Sequence, residues 1–137
     1  YSGDVFLADF EIWMGKHSER YWLAPEQLLS EPYPYGSEVD IWSLGCIVME
    51  MADGYPPFSD LHALKEFFYI ATRGAPPLSK PKRWSSEFKD FLAEMLNIDS
   101  KKRATATRLL QHPFLHKACT RDQFAEIIQL RTSWARW

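Results

Sequence analysis

The stretch SEVDIWSLGCIVMEMADG, residues 37–54, is the strongest helix signal in the chain. Ser37 and Asp40 have the spacing of a capping pair, with the serine as N-cap and the acid three residues later. Gly54 stands where helices commonly end. The apolar residues occupy nearly every side of the helix, which predicts a helix buried all round. They are Val39, Ile41, Trp42, Leu44, Cys46, Ile47, Val48, Met49 and Met51.

Outward from this helix, apolar residues at helical spacing predict several shorter helices. Capping residues mark where some begin, and Gly74 marks the end of one. Two of these helices are expected to start at Ala24 and at about Asp60, and three others are expected to be capped by Ser85 or Ser86, by Thr105 and by Thr120. The helix near Asp60 carries its apolar stripe at Leu61, Leu64, Phe67, Phe68 and Ala71. The next two carry Phe88, Phe91, Leu92, Met95 and Leu96, and then Leu109 and Leu110.

The last predicted helix has two interpretations. Thr120 and Gln123 form a capping box at its start. Its apolar stripe comprises Phe124, Ile127, Ile128, Arg131 and Trp134. This stripe either packs back on the domain or serves as a docking helix for a partner.

The predicted fold class is a mainly α-helical domain with one short strand. Residues 5–10, VFLADF, form a short apolar run after a turn signal, which predicts a strand or the end of a hairpin. The remaining periodic segments are helical, and 137 residues are enough for one domain of ordinary size.

Composition excludes several classes of partner. The net charge of -2 provides no general attraction to nucleic acid or acidic membranes. The longest apolar run, around CIVMEM, is too short to span a membrane, and no export leader is evident. Cys46 and Cys119 lack paired spacing, so neither a disulfide framework nor a cysteine-rich metal site is expected. These features favour a reducing, cytoplasmic location.

Four motifs occur in an order that resembles the C-terminal lobe of a Ser/Thr protein kinase. They are LADFE (7–11), YWLAPE (21–26), DIWSLGCIVMEMADGYPPF (40–58) and LNIDSKKRATATRLLQHPFL (96–115). The wording of YWLAPE, VDIWSLG and IATRGAPPL is most similar to the PAK branch of the Sterile-20 group. The resemblance implies a protein kinase-like α+β fold, of which this chain is the helical lobe. It divides the chain into residues 1–26, the end of the catalytic core and the activation segment, residues 27–118, the helical lobe, and residues 119–137, an extension helix.

The resemblance also implies a chemistry, which is phosphoryl transfer from ATP to a protein Ser or Thr. Asp9 matches the aspartate that binds Mg²⁺ with ATP, although an aspartate after a strand is also an ordinary turn residue. Glu11 replaces the glycine of the metal turn. A side chain there disfavours left-handed backbone, and a second carboxylate near the phosphates is repulsive, so Glu11 is also consistent with a solvated loop residue in an inactive protein.

The activation segment departs from the family pattern. Residues 12–23 form a shorter segment than is usual, and Ser18, Glu19 and Arg20 stand where Gly-Thr-Pro is expected. Ser18 is a candidate phosphosite or a plain loop serine. The resemblance places Trp22 and Tyr55 in the substrate region. Tyr55 replaces a glutamate that helps read a basic substrate residue, so that preference is not carried over.

Other matched residues have structural roles in the resemblance. Glu26 and Arg103 match a buried ion pair that ties the activation segment to the last helices. Asp40 matches a residue that holds the catalytic loop, and with that loop missing we expect only its capping role with Ser37. His112 and His116 have the i, i+4 spacing of a metal face, but the HPF pattern indicates structural histidines.

The sequence also lacks several kinase motifs: the Gly-rich phosphate loop, the strand lysine and the His-Arg-Asp catalytic loop. We therefore expect that this chain alone transfers no phosphate. We also expect it to need the missing half of the domain, or another chain, to cover the apolar sides of the helix in residues 37–54. The alternatives are a pseudokinase-like scaffold, favoured by Glu11 and Tyr55, and a helical interaction domain, disfavoured by Glu26 and Arg103.

Overall fold

The regular structure is helical, in agreement with the predicted fold class. The computed structural model describes residues 20–29 and 35–134, and the predicted strand at residues 5–10 lies outside them. The α-helices in this part are α1 (Pro25–Leu29), α2 (Glu38–Asp53), α3 (Ala63–Arg73), α4 (Ser86–Met95), α5 (Ala106–Leu110) and α6 (Arg121–Trp134). Short 3₁₀ helices cover Arg20–Trp22, Pro81–Arg83 and Pro113–Lys117.

Helix α2 lies between two apolar clusters. The larger one joins α2 to α4 and α5, and it comprises Ile41, Met49, Leu78, Phe88, Phe91, Leu92, Met95, Ala104 and Leu109. The smaller one joins α2 to the start of α1 and to α3, and it comprises Ala24, Trp42, Cys46 and Ile70. Burying aliphatic and aromatic side chains contributes about 1.5–3 kcal/mol each, so α2 organises the stability of the lobe.

The contact between α2 and α4 is close because α2 carries a glycine at the crossing. A Cβ placed on Gly45 would lie 2.7 Å from Leu96 Cδ2 and 3.0 Å from Met95 Cβ. Either distance is shorter than a normal carbon–carbon contact. Gly45 therefore lets the two helices approach.

Helix α2 is buried on only part of its circumference in the described part of the chain, as expected for a helix whose apolar sides need further cover. Three apolar side chains of this helix are exposed to solvent, those of Leu44, Ile47 and Met51. Leu44 and Met51 also line an apolar cleft, with a volume of about 590 Å³, between α2, α4, α5 and Phe114. The physical reason is that the described helices pack against only part of the circumference of α2.

The start of α2 also differs from its prediction. Ser37 already has helical backbone angles, and its side chain makes no capping hydrogen bond. Instead, the Glu38 carboxylate accepts the Gly36 N–H at 3.1 Å. Hydrogen bonds from the backbone N–H groups of Glu38 itself and of Gly36 lower the pKa of Glu38. Asp40 is exposed in the first turn, where a negative charge favours the helix dipole.

The other predicted caps are confirmed. Ser85 accepts the Phe88 N–H at 3.2 Å at the start of α4, and Thr105 accepts the Arg108 N–H at 3.3 Å at the start of α5. At the start of α6, Thr120 accepts the Gln123 N–H at 3.3 Å and donates its own N–H to Gln123 Oε1 at 2.9 Å. Gly54 and Gly74 follow α2 and α3 with positive φ angles of 89° and 75°.

The apolar stripe predicted for α3 faces outward rather than inward. Helix α3 begins at Ala63, after His62 in extended conformation, instead of near Asp60. The buried residues of α3 are Glu66 and Ile70, whereas Leu64, Phe67 and Phe68 are exposed. Periodicity correctly groups the apolar residues on one face, but it does not say which face meets the core.

Helices α5 and α6 are likewise buried only in part. Leu109 is buried, while its neighbour Leu110 is 75% exposed beside the cleft. In the stripe predicted for α6, Phe124 and Ile128 are half-buried and Ile127 is exposed, so these residues pack on the domain only in part. None of the helices in residues 20–29 and 35–134 combines the length and the apolarity needed to cross a bilayer.

Candidate functional site

The predicted pair Glu26 and Arg103 is brought together by the fold, although 77 residues separate the two in sequence. Arg103 Nη1 donates to Glu26 Oε1 at 2.6 Å, and Nη2 donates to Oε2 at 3.0 Å. Nη1 also donates to the Glu38 carbonyl at 2.7 Å, and Nε donates to the Asn97 carbonyl at 3.0 Å. The guanidinium lies over the Trp42 ring, 5.1 Å from its centroid.

This arrangement ties three parts of the lobe to one cation. Arg103 connects α1, which carries Glu26, to the first turn of α2 and to the loop after α4. The Arg103 side chain is 0% exposed, whereas that of Glu26 is 23% exposed. A planar guanidinium suits such a site because its donors are fixed in direction and match both oxygens of a carboxylate.

Trp22 is held against α2 just before α1 begins. Its indole Nε1 donates to Glu50 Oε2 at 3.1 Å. Its carbonyl accepts from Ser43 Oγ at 2.8 Å, and Ser43 also donates to the Val39 carbonyl at 3.1 Å. These bonds attach the backbone of residue 22 and its ring to two turns of α2. The end of the predicted activation segment is therefore fixed both here and at Glu26.

Tyr55 follows the same helix and lines a cleft with a volume of about 670 Å³. Phe58, Asp60, Pro76 and Pro77 also line it. Phe58 has a φ of 59°, in the left-handed region that a bulky residue rarely adopts. The Trp22 indole reaches Glu50 in the last turn of α2, whereas its carbonyl is bonded to Ser43 in the first half of the helix. Tyr55 follows the cap residue Gly54 at the C-terminal end of α2.

The rest of the candidate set lies elsewhere. Asp40 is exposed on the first turn of α2, and within the described residues no hydrogen bond or ion pair joins it to Glu26 or Trp22. Asp9, Glu11 and Ser18 lie outside the part of the chain that the structure describes. The candidate Mg²⁺ ligand, the residue in place of glycine and the candidate phosphosite therefore stay predictions.

Within residues 20–29 and 35–134, one group of side chains has the spacing of a metal site. Asp90, Glu94 and His112 offer ligand atoms within 4.8 Å of one another. Glu94, however, is already paired with Arg108. His116 is exposed on the 3₁₀ helix at Pro113–Lys117 and is not part of this group.

The hydrogen bonds of His112 do not fit a metal ligand. Its Nδ1 accepts the Phe114 N–H at 3.2 Å, which leaves the proton of the neutral ring on Nε2. Nε2 lies 3.3 Å from Asp90 Oδ2, a distance at which it can donate to the carboxylate. A ligand nitrogen needs a free lone pair, and neither nitrogen has one in this arrangement. His112 is therefore a buried structural residue that joins α4 to the segment after α5.

Comparison with known proteins assigns the family. The protein kinase domain family matches residues 14–115. The chain belongs to the protein kinase family. Members of this family use ATP and Mg²⁺, and the chain carries part of such a domain.

The similar curated proteins are PAK- and Sterile-20-type Ser/Thr kinases. The Serine/threonine-protein kinase pakC of Dictyostelium discoideum is 47% identical over 109 residues, which are 80% of this chain and 22% of that protein. The pakA kinase of the same organism is 39% identical over 137 residues, or 93% of this chain and 11% of the relative. The cst-1 kinase of Caenorhabditis elegans is 42% identical over 109 residues, or 80% and 22%. The chain thus spans about a fifth or less of these relatives.

Sequence reasoning missed three residues that support this site. Ser43 and Glu50 bind Trp22, and Trp42 lies beneath the Arg103 guanidinium. Ser43 and Glu50 are seven residues apart, which places two polar side chains on one face of an otherwise apolar helix. That spacing was a usable signal for a polar contact along α2, although it does not identify Trp22 as the partner.

Proposed function

We propose that this chain is the substrate-side lobe of a Ser/Thr protein kinase of the PAK and Sterile-20 type. In the complete domain, the phosphoryl group of ATP is transferred to a Ser or Thr hydroxyl of a protein substrate. The observation that carries the proposal is the bidentate Glu26–Arg103 pair, with its two further bonds to backbone carbonyls. The role of this lobe is to hold the end of the activation segment in place for the substrate.

The arrangement of the site supports this role. Phosphoryl transfer depends on positioning the reacting groups rather than on covalent chemistry by the protein. Arg103 and Glu26 anchor the segment at one point, and Ser43 and Glu50 anchor it at Trp22. With two anchors only four residues apart, the segment has little freedom at its end. Trp22 and Tyr55 are the residues we assign to the substrate region.

The cofactor assignment within the chain is part of this proposal. Asp9 is the candidate ligand for the Mg²⁺ ion that accompanies ATP, because a carboxylate oxygen is the donor that Mg²⁺ prefers. Glu11, two residues later in the sequence, adds a second carboxylate to this segment, and we expect it to weaken phosphate binding by charge repulsion. Ser18 is the candidate phosphosite of the same segment.

We further propose that the chain does not act alone. The exposed side of α2 and the adjoining apolar cleft support this view, because apolar surface of this kind is normally covered. The rest of the kinase domain, or another chain, is the proposed cover, and a protein is the proposed substrate. The same proposal divides the chain into three parts, with boundaries at residues 26/27 and 118/119. It also includes a cytoplasmic location.

The test compares the longer natural protein with this 137-residue chain. Both are incubated with γ-labelled ATP, Mg²⁺ and a degenerate mixture of Ser/Thr peptides. We expect transfer by the longer protein and none by this chain. Asp9→Asn should abolish transfer, whereas the matched control Asp122→Asn, in the exposed first turn of α6, should leave it unchanged.

A thermal-shift measurement on the longer protein separates a kinase from a scaffold. Mg²⁺ and ATP at about 100 times their dissociation constant stabilise a binding protein by about 2.7 kcal/mol. A shift together with transfer supports the proposal. If the protein is folded by circular dichroism but shows no thermal shift and no transfer, the result supports the pseudokinase-like scaffold instead.

A further inference from the structure

A small cleft lies between α2, α4 and the loop after α3. Its volume is about 270 Å³, and residues 75–78 form the wall on the loop side. Lys89 and Ala93 line the wall on the side of α4, where both are exposed and lie one turn apart. Ordinary small-molecule sites have volumes of about 300–1,000 Å³, so this cleft suits a single side chain rather than a cofactor.

The acidic residues of α4 are engaged on another side of the helix. Glu87, Asp90 and Glu94 recur at spacings of three and four residues, which places them together on one side. Their partners, in the same order, are Lys117, His112 and Arg108. None of the three carboxylates lines the cleft. The positive charge of Lys89 is therefore not offset by an acid of its own helix.

The segment that joins the loop to α4 is basic. Lys80, Lys82 and Arg83 are exposed, and the last two belong to the 3₁₀ helix that precedes α4. Among the described residues, none of these three side chains forms an ion pair. Leu78 lines the cleft, and consecutive Cα atoms are about 3.8 Å apart, so the Cα of Lys80 lies within about 8 Å of it. This segment therefore closes one end of the cleft.

Asp53 is an acidic residue bonded to the same segment. Its carboxylate accepts the Ser79 N–H at 3.0 Å and the Ser79 hydroxyl at 2.7 Å. It lines the neighbouring cleft, which contains Tyr55, rather than this one. Positive charge is thus concentrated here, although the chain as a whole has a net charge of -2. We define the basic rim as Lys80, Lys82, Arg83 and Lys89.

We propose that the basic rim and this cleft bind an acidic peptide segment of a partner protein. One aliphatic side chain of the peptide enters the cleft, and carboxylates on both sides of it contact the rim. Charge complementarity selects carboxylates, because the acids of α4 are directed elsewhere. The concave cleft selects a peptide over a membrane or a nucleic acid, since it encloses one apolar side chain. None of the residues assigned to the proposed function belongs to this surface, so binding does not depend on phosphoryl transfer.

The test measures the binding of a fluorescein-labelled peptide to the longer natural protein by fluorescence anisotropy. The peptide has one leucine between two runs of glutamate, and a comparison peptide has glycine in place of the leucine. The leucine peptide should bind about fivefold more tightly or better, because its side chain leaves water for the cleft. Ala93→Trp, at an exposed position, fills the cleft and should remove this difference.

Charge reversal tests the basic rim. Lys82→Glu and Lys89→Glu should each raise the dissociation constant of the leucine peptide about threefold or more, since each replaces an exposed ion pair by a repulsion. Lys101→Glu is the matched control. Lys101 is exposed two residues before Arg103, which is bonded to the first turn of α2, whereas the cleft contains Met49 in the second half of that helix. At a salt concentration of about 0.15 M the Debye length is about 8 Å, so the control should change the constant less than about twofold.

The remaining controls separate a peptide site from a general anionic one. Circular dichroism shows whether each variant is folded, and vesicles that contain phosphatidylserine and a single-stranded DNA serve as the other anionic probes. The proposal is overturned if the leucine and glycine peptides bind equally, or if Lys101→Glu weakens binding as much as Lys82→Glu and Lys89→Glu do. It is also overturned if vesicles or DNA bind as tightly as the leucine peptide and lose binding in the same variants.

Discussion

Replacing Arg103 with methionine should cost much of the stability of the lobe. The change removes four hydrogen bonds, two to Glu26 and one each to the carbonyls of Glu38 and Asn97, together with the contact over Trp42. Removing one partner of a buried ion pair typically costs about 3–5 kcal/mol. Water can still reach the Glu26 carboxylate, whose side chain is 23% exposed. We therefore expect a loss of about 3 kcal/mol.

A double-mutant cycle separates the ion pair from the rest of the site. Glu26→Gln leaves Arg103 buried with two carbonyl partners, and should cost about 1.5–3 kcal/mol, the range for a hydrogen bond to a charged group. In the double variant the buried charge and its partner are both gone. The loss should then be smaller than the sum of the single losses by about 1–2 kcal/mol.

Urea denaturation followed by far-UV circular dichroism measures each free energy of unfolding. Lys102→Met is the matched control, because Lys102 is also paired with a carboxylate, that of Asp99, but the two side chains are 74% and 42% exposed. An exposed ion pair contributes only about 0–1 kcal/mol. The reasoning is wrong if Arg103→Met costs no more than Lys102→Met, or if the Glu26 and Arg103 losses simply add.

Three further predictions follow from the described residues. Burial raises the pKa of Cys46 to about 12. Ellman's reagent should therefore modify only Cys119 in the folded chain and both thiols in urea. Rapid modification of both thiols before unfolding would contradict this prediction. The hydrogen bond from Lys117 lowers the pKa of Glu87 from 4.5 to about 2. Its stabilisation is therefore present above pH 4.5 and lost as the pH falls through about 2, and Lys117→Met should return the NMR titration midpoint of Glu87 toward 4.5. Gly45→Ala should destabilise the chain by about 1–3 kcal/mol through overpacking, and an unchanged urea midpoint would argue against the close helix crossing.

Much of the local structure was predictable because it depends on residues close together in sequence. The caps at Ser85, Thr105 and Thr120 each use a side chain and a backbone N–H three residues away. Gly54 and Gly74 end their helices where a positive φ is needed. The pairing of Glu26 with Arg103 came only from the resemblance, since nothing local relates residues so far apart.

Where local rules failed, a competing contact took the place of the predicted one. At the start of α2, Ser37 is a residue type that commonly caps helices, but its side chain makes no capping hydrogen bond. The Glu38 carboxylate instead accepts the N–H of Gly36. On α3, the apolar stripe faces solvent while Glu66 is buried. Periodicity groups residues by face, and only the surrounding elements decide which face is covered.

For this chain, the sequence alone specified the helices, most of their ends and the kinase resemblance, because hydrogen bonds and side-chain spacing within a few residues suffice for these. The tertiary structure decided which sides of α2, α3 and α6 are buried. It also brought Ser43 and Glu50 to Trp22, and placed Arg103 over Trp42. Burial and hydrogen-bond partners at this range depend on how helices cross, and a crossing is the outcome of packing among residues that are distant in sequence.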